Sequence, residues 1–222
     1  EPMRGGVMIR RVLTRWWGYG EFAVVAALGK VFGVGVVVRY LRSPNPNVTV
    51  RLLRTFGAHV GERTRVKRGI RLDNVYEDAQ SAGDLRHLSI GANCYLGDDV
   101  YFDLANTIEL EDDVVVSGHV AFVTHADCNR SPEVARAFPR RCAPITIRRG
   151  AWLAYRATVL AGVTVGENAV IAAHALVRED AAPGMIHAGT PARALRRLRP
   201  AEPSVAVLVL RLAARRQGGR DR

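Results

Sequence analysis

Among the six histidines of this 222-residue chain, His125 stands where chemistry is most readily placed. It closes a long regular run, within Thr124-His125-Ala126-Asp127, immediately before a stretch rich in Asp, Asn, Ser, Pro and Arg. An imidazole, whose ordinary pKa is about 6.5, is poised to take a proton from an attacking alcohol near neutral pH. Asp103 or Asp127 can orient such a ring by accepting from its second nitrogen, although Asp is equally at home as a turn residue. His119 lies one step of the same register before His125. A catalytic metal needs three protein ligands and an open position, and no third histidine at matching spacing completes the pair, so no metal is expected. His59, His87 and His187 have no evident partner and read as surface or packing residues.

The elements that must position His125 are legible as a period of six. Apolar residues recur at Ile90, Leu96 and Phe102, then after a two-residue slip at Leu110, Val116 and Phe122. Small or β-branched partners stand two positions earlier, at Cys94, Val100, Val114 and Val120. The pattern resumes at Ile147, Leu153, Val159, Val165, Ile171 and Val177, preceded by Ala151, Ala157, Val163, Ala169 and Ala175. A six-residue repeat is the mark of a parallel β-helix, in which each short run buries one face against the coils above and below. The expected class is mainly β, with a helical N-terminal region and a short C-terminal helix over Val205 to Arg216. By its register, three residues after inward Phe122, His125 belongs at an outward corner of the coil.

Three regions follow. Residues 1–57 form a basic, partly helical N-terminal region, with a helix on each side of the Ser43-Pro44-Asn45-Pro46-Asn47 turn cluster. Residues 58–197 form the β-helix, weak at first, irregular over the acidic patch from Asp73 to Asp84, and broken by an excursion loop at 126–144. Residues 198–222 form a basic helix or tail. Residues 1–71 carry 14 basic and three acidic side chains, 72–190 carry nine and 16, and 191–222 carry nine and two. Basic flanks attract phosphate in any form. Nucleic acid is the weakest of those partners, since no zinc-ligand spacing, helix-turn-helix pattern or aromatic RNP-type strand accompanies the arginines. The apolar run 22–38 has 17 residues with Lys30 near its centre, short and costly for a membrane span. It reads as a helix or pair of short helices over the first coil, with peripheral attachment to anionic membranes as the further expectation. Cys94 fills an inward slot, which leaves no disulfide framework and suits a reduced, cytoplasmic setting, at most peripheral to the inner face of the membrane.

The second ladder resembles the C-terminal half of the hexapeptide-repeat acyltransferases, particularly the maltose, galactoside and exopolysaccharide O-acetyltransferase group. The resemblance rests on Trp152-Leu153, on Gly162-Val163-Thr164-Val165-Gly166, on the hexad Val170 to Val177, and on Gly189-Thr190-Pro191-Ala192-Arg193; with the first ladder it covers about residues 88–197. It implies a left-handed parallel β-helix assembled as a homotrimer, with acetyl-CoA as co-substrate lying between neighbouring coils. It implies transfer of an acetyl group to a hydroxyl of a sugar, glycan intermediate or glycosylated metabolite, with His125 as general base. Tyr155, Ala173 and Arg178 match donor contacts, and Arg193 and Arg196 match cations that meet the phosphates of CoA. Asp103, Asn106 and Asp127 are the candidates for holding the acceptor or orienting His125. Bulky Tyr155 and His174, where the family has smaller residues, motivate a second reading as a catalytically degenerate trimeric scaffold or binding module. The γ-class carbonic anhydrases share the fold and offer a metal-dependent alternative, which His119 and His125 alone do not supply.

Overall fold

From His59 to Val177 the chain climbs in triangular coils, each laying one short strand in each of three parallel sheets. The computed structural model describes residues 4–42, 45–128 and 130–198. The first sheet stacks His59–Val60, Leu88–Ile90, Ile108–Leu110, Ile145–Ile147 and Thr164–Val165. The second stacks Arg65–Val66, Tyr95–Leu96, Val115–Val116, Trp152–Leu153 and Val170–Ile171, then adds Met185–Gly189 and an antiparallel strand, Ala192–Arg197. The third stacks Arg71–Asp73, Tyr101–Asp103, Ala121–Val123, Thr158–Leu160 and Leu176–Val177.

Register turns the six-residue period into columns. Val66, Leu96, Val116, Leu153 and Ile171 pair in line down the second sheet, and His187 continues that column, buried. Down the third sheet Leu72, Phe102, Phe122, Val159 and Val177 do the same. Phe102 and Phe122 stack with ring centroids 5.0 Å apart. Each such side chain removed from water stabilises the fold by roughly 1.5–3 kcal/mol. Cys94, Val100, Val114 and Val120 are likewise buried, as are the alanines of the second ladder.

Between sheets the chain must turn sharply, and it does so through left-handed backbone. Asn93, Asp99, Asp113, His119, Asn168 and His174 all have φ between 54° and 61°. Short polar side chains tolerate that conformation best. At Gly150, with φ 68°, a Cβ would stand 2.3 Å from Asn168 Oδ1, so a side chain there would have to displace Asn168 as well as adopt the left-handed backbone. His119 and His174 are thus corner residues, each meeting the ring of Tyr155 edge-on.

The N-terminal region is helical: α1 (Arg4–Phe32), α2 (Val34–Leu41) and α3 (Pro46–Thr55). The apolar run 22–38 is therefore divided, broken at Gly33, whose φ is 89°. Val25 and Ala26 from α1, Val37, Val38 and Leu41 from α2, and Val48, Leu52 and Leu53 from α3 join one core that continues through Ala58 and Val60 into the first coil. Gly29 permits the close approach, since a Cβ there would come within 2.5 Å of the Phe56 ring. Among the described residues no helix is long and apolar enough to cross a membrane. Ser43 and Pro44 of the turn cluster, and the helix expected over Val205 to Arg216, lie outside the described residues.

Candidate active site

The site forms where the third coil stops being regular. After Ala121–Val123 the chain leaves the coil, and His125–Ala126 pairs antiparallel with Arg141–Cys142, placing His125 opposite Cys142. The excursion therefore starts and ends as a short two-stranded ribbon, with a six-residue helix, Pro132–Ala137, beyond it. This corrects the outward-corner placement of His125: the hexad rule extends past Phe122 only if the coil continues. The His125 side chain is 23% exposed, turned over the end of the preceding coil rather than into solvent.

Beneath it lies Asp103, fully buried. Its Oδ2 accepts from His125 Nδ1 at 2.6 Å, from the His125 N–H at 3.0 Å and from the Thr124 N–H at 2.8 Å. Its Oδ1 accepts from Asn74 Nδ2 at 2.8 Å and from the Ala105 N–H at 3.2 Å. Burial alone pushes the Asp103 carboxyl up, but the hydrogen bonds from His125, Asn74 and Ala105 outweigh it and hold the group below its ordinary value. An ionised Asp103 can only accept, so Nδ1 of the neutral ring carries the proton and the lone pair sits on Nε2. Buried Thr124 completes the frame: its hydroxyl donates to the Asp103 carbonyl at 2.8 Å and accepts from the Asn106 N–H at 3.1 Å.

Of the two aspartates able to orient His125, Asp103 does so and Asp127 does not. Asp127 Oδ2 lies 3.7 Å from Arg140 Nε, and Arg140 also pairs with Asp78 at 2.7 Å. That arginine fastens the excursion to the irregular 73–84 segment. Asn106 stands beside the site, its Nδ2 3.6 Å from the sulfur of Cys142. Arg178 borders the same hollow as His125, a space of about 570 Å³ lined also by Val123, Arg141, Leu160 and Glu179. Arg193 reaches that rim through a 3.1 Å pair with Glu179. Arg196 is exposed on the last antiparallel strand, and Tyr155 and Ala173 are exposed away from the hollow's lining. The bulk of Tyr155 and His174 therefore stands away from the hollow beside His125.

Asn74, Thr124 and Arg141 escaped sequence reasoning. The signal for Asn74 was register: Asp73 and Asp103 are paired neighbours in adjacent coils, so Asn74 follows directly above the Asp103 turn. Asp73 also accepts from the Tyr101 hydroxyl at 2.9 Å; burial and that carboxylate push the Tyr101 pKa up. His87, expected to lack a partner, has Nδ1 2.9 Å from the Leu104 carbonyl. Among the described residues no group of three or more His, Cys, Asp or Glu side chains is arranged to hold a metal.

Residues 87–120 and 155–174 match the family described as the hexapeptide repeat of succinyl-transferase. Galactoside O-acetyltransferase of Escherichia coli K12 is 29% identical over 123 residues, which are 50% of this chain and 58% of that enzyme. The chain thus spans less than two thirds of that relative. A solved galactoside acetyltransferase in complex with coenzyme A superposes with a TM-score of 0.62 at 22% identity, over 80% of this chain and 82% of that one. A hexapeptide-repeat-containing acetyltransferase from Vibrio cholerae gives the same TM-score and identity over 81% of this chain and 94% of that one. The coil is the left-handed parallel β-helix.

Proposed function

We propose that this chain, a left-handed β-helix built on the hexapeptide repeat of the acyltransferases, moves an acetyl group from acetyl-CoA to a hydroxyl of a sugar, glycan intermediate or glycosylated metabolite. The observation that carries the reading is the buried Asp103 carboxylate bonded to His125 Nδ1 at 2.6 Å, beside an open hollow. His125 Nε2 takes the proton of the acceptor hydroxyl as its oxygen forms a bond to the thioester carbonyl carbon. The carbon–sulfur bond then breaks, and the imidazolium returns that proton to the departing CoA thiolate. Asp103 stabilises the transient positive ring and fixes its tautomer. No acyl-enzyme is required.

Charge and the relatives support the donor side. Arg178 and Arg141 line the hollow and Arg193 reaches its rim through Glu179, cations suited to phosphate, and exposed Arg196 is proposed as a further phosphate contact. The similarity to a galactoside O-acetyltransferase supports a sugar hydroxyl as acceptor, and Asn106 is proposed to contact it. The assay is direct: purified protein, acetyl-CoA and a panel of galactosides and glycan intermediates, read by release of free CoA and by mass of the product. Acceptor-dependent CoA release with an acetyl ester on the sugar is the expected result. Acetyl-CoA binding without transfer to any hydroxyl would overturn the reading in favour of a binding module.

Arg193→Ala with Arg196→Ala raises the donor KM while kcat changes little, because phosphate contacts distant from the thioester bind ground and transition states alike. Steady-state kinetics with varied acetyl-CoA checks this; an unchanged KM returns both arginines to the solvated surface. A homotrimer is part of the proposal. Tyr95, Val115 and Trp152 form an exposed, in-register apolar stripe on the second sheet, of the kind neighbouring copies cover. Sedimentation should give a trimer, and a stable monomer at micromolar concentration would refute it. The reduced, cytoplasmic compartment that supplies acetyl-CoA is the proposed location, in keeping with three free cysteines.

A further inference from the structure

One face of α1 has no partner among the described residues. Val24, Leu28 and Val31 recur at helical spacing and are 59%, 41% and 74% exposed, with Phe32 beside them at 71%. Ala23 and Ala27 lie exposed among them. The opposite side of the same segment, Val25, Ala26 and Gly29, is buried against α2 and α3. So α1 is apolar on both sides here, and among the described residues only one side is covered. An outward apolar stripe of this kind is a docking surface.

Charge identifies the occupant. Residues 4–55 contain nine basic side chains and a single acidic one, Glu21. Glu21 is itself committed, accepting from the Tyr40 hydroxyl and from the Asn45 side-chain amide. Lys30, Arg39 and Arg42 are exposed. A second copy of the chain would bring an equally basic surface against this one, which like-charge repulsion opposes. A surface both apolar and anionic satisfies the stripe and the cations together.

We infer that the helical N-terminal region docks this protein on an anionic lipid surface, with Val24, Leu28, Val31 and Phe32 entering the interface and Lys30, Arg39 and Arg42 meeting lipid phosphates. The docked region is joined to the catalytic end. A Cβ on Gly35 of α2 would meet the Tyr76 hydroxyl at 3.1 Å, and the segment carrying Tyr76 holds Asp78, which pairs with Arg140 of the excursion beside His125. The inference stands on α1 and its charge, and it does not depend on the acyl-transfer reading.

The test is co-sedimentation of the full chain with phosphatidylcholine vesicles, with and without phosphatidylglycerol, at low and raised salt. The wild-type chain pellets with the anionic vesicles, less with the neutral ones, and is partly released by salt. V31E with F32E lowers the apparent affinity for anionic vesicles about tenfold or more, the loss expected when two interfacial side chains no longer enter lipid. Both positions are solvent-exposed, and an unchanged circular dichroism spectrum and sedimentation coefficient confirm that the variant is folded. A wild-type chain that stays in the supernatant, a variant that binds as well as wild type, or equal binding to neutral vesicles overturns the inference. So does wild-type self-association, without lipid, that V31E with F32E abolishes; that result would make the face a protein interface.

Discussion

His125→Ala lowers kcat by roughly 10²–10⁴-fold, the usual worth of a positioned general base, while acetyl-CoA binding and assembly persist. Among the described residues the ring is hydrogen-bonded from one side only, by Asp103, and the hydrogen bonds of the His125 N–H and Thr124 N–H to Asp103 come from backbone and survive the change. The core behind it, Phe102 stacked on Phe122, is untouched. Turnover, donor affinity and sedimentation on one variant check the three parts together. Undiminished transfer would remove His125 from the mechanism, and collapse of binding and assembly would make it structural.

Asp103→Asn has the second large effect, through His125 rather than through substrate. Five donors converge on the carboxylate, and an amide presents one oxygen where two stood. Its NH₂ group must face either Asn74 and Ala105 or the His125 ring. The first choice leaves buried donors opposed, at about 1–3 kcal/mol for each unmet group. The second opposes the Thr124 and His125 N–H groups and favours the tautomer with its proton on Nε2, where the base needs a lone pair, so kcat falls by roughly 10²–10⁴-fold. The donor KM should hold, which separates loss of orientation from loss of the site.

A pH series on stability adds an independent readout. The folded Asp103 carboxyl lies below its ordinary value, so its stabilisation is fully present above the unfolded pKa of about 3.9. It is lost as pH falls through the folded value. Melting temperatures of wild type should drop through that acid window, and Asp103→Asn should lack this component of the drop while being less stable at neutral pH. Parallel acid limbs would show that the Asp103 network does not govern them.

The β-helix was legible because its signal is local: each buried residue repeats six positions on, and no distant information is needed to place Phe122 or Leu153 inward. The site was legible in its central residue and less so in its frame. Asp103 and Asp127 both lie in reach of His125 by sequence, and only the pairing of successive coils selects Asp103. Asn74 stands 29 residues from Asp103, across an irregular segment whose length hides the register. The hexad count misplaced His125 itself because a count cannot announce where the coil ends. The bulk of Tyr155 and His174 is visible in the sequence, whereas the edge-on contact of their rings and the left-handed backbone at His174 are not.

The second sheet ends in a way that bears on solubility. A stack of parallel coils has no natural last member, and an uncovered edge is an invitation for another chain to continue the ladder as a filament. Here the last parallel strand, Met185–Gly189, turns back through Thr190 and Pro191 and is sealed by Ala192–Arg197 running the opposite way. That outermost strand carries Arg193, Arg196 and Arg197, charges of the kind that discourage edge-to-edge growth. With α3 seated on the first coil at the other end, this sheet's growth is closed at both limits. The arginines proposed as phosphate contacts thus have a second occupation, as gatekeepers that keep a polymer-like fold a discrete particle.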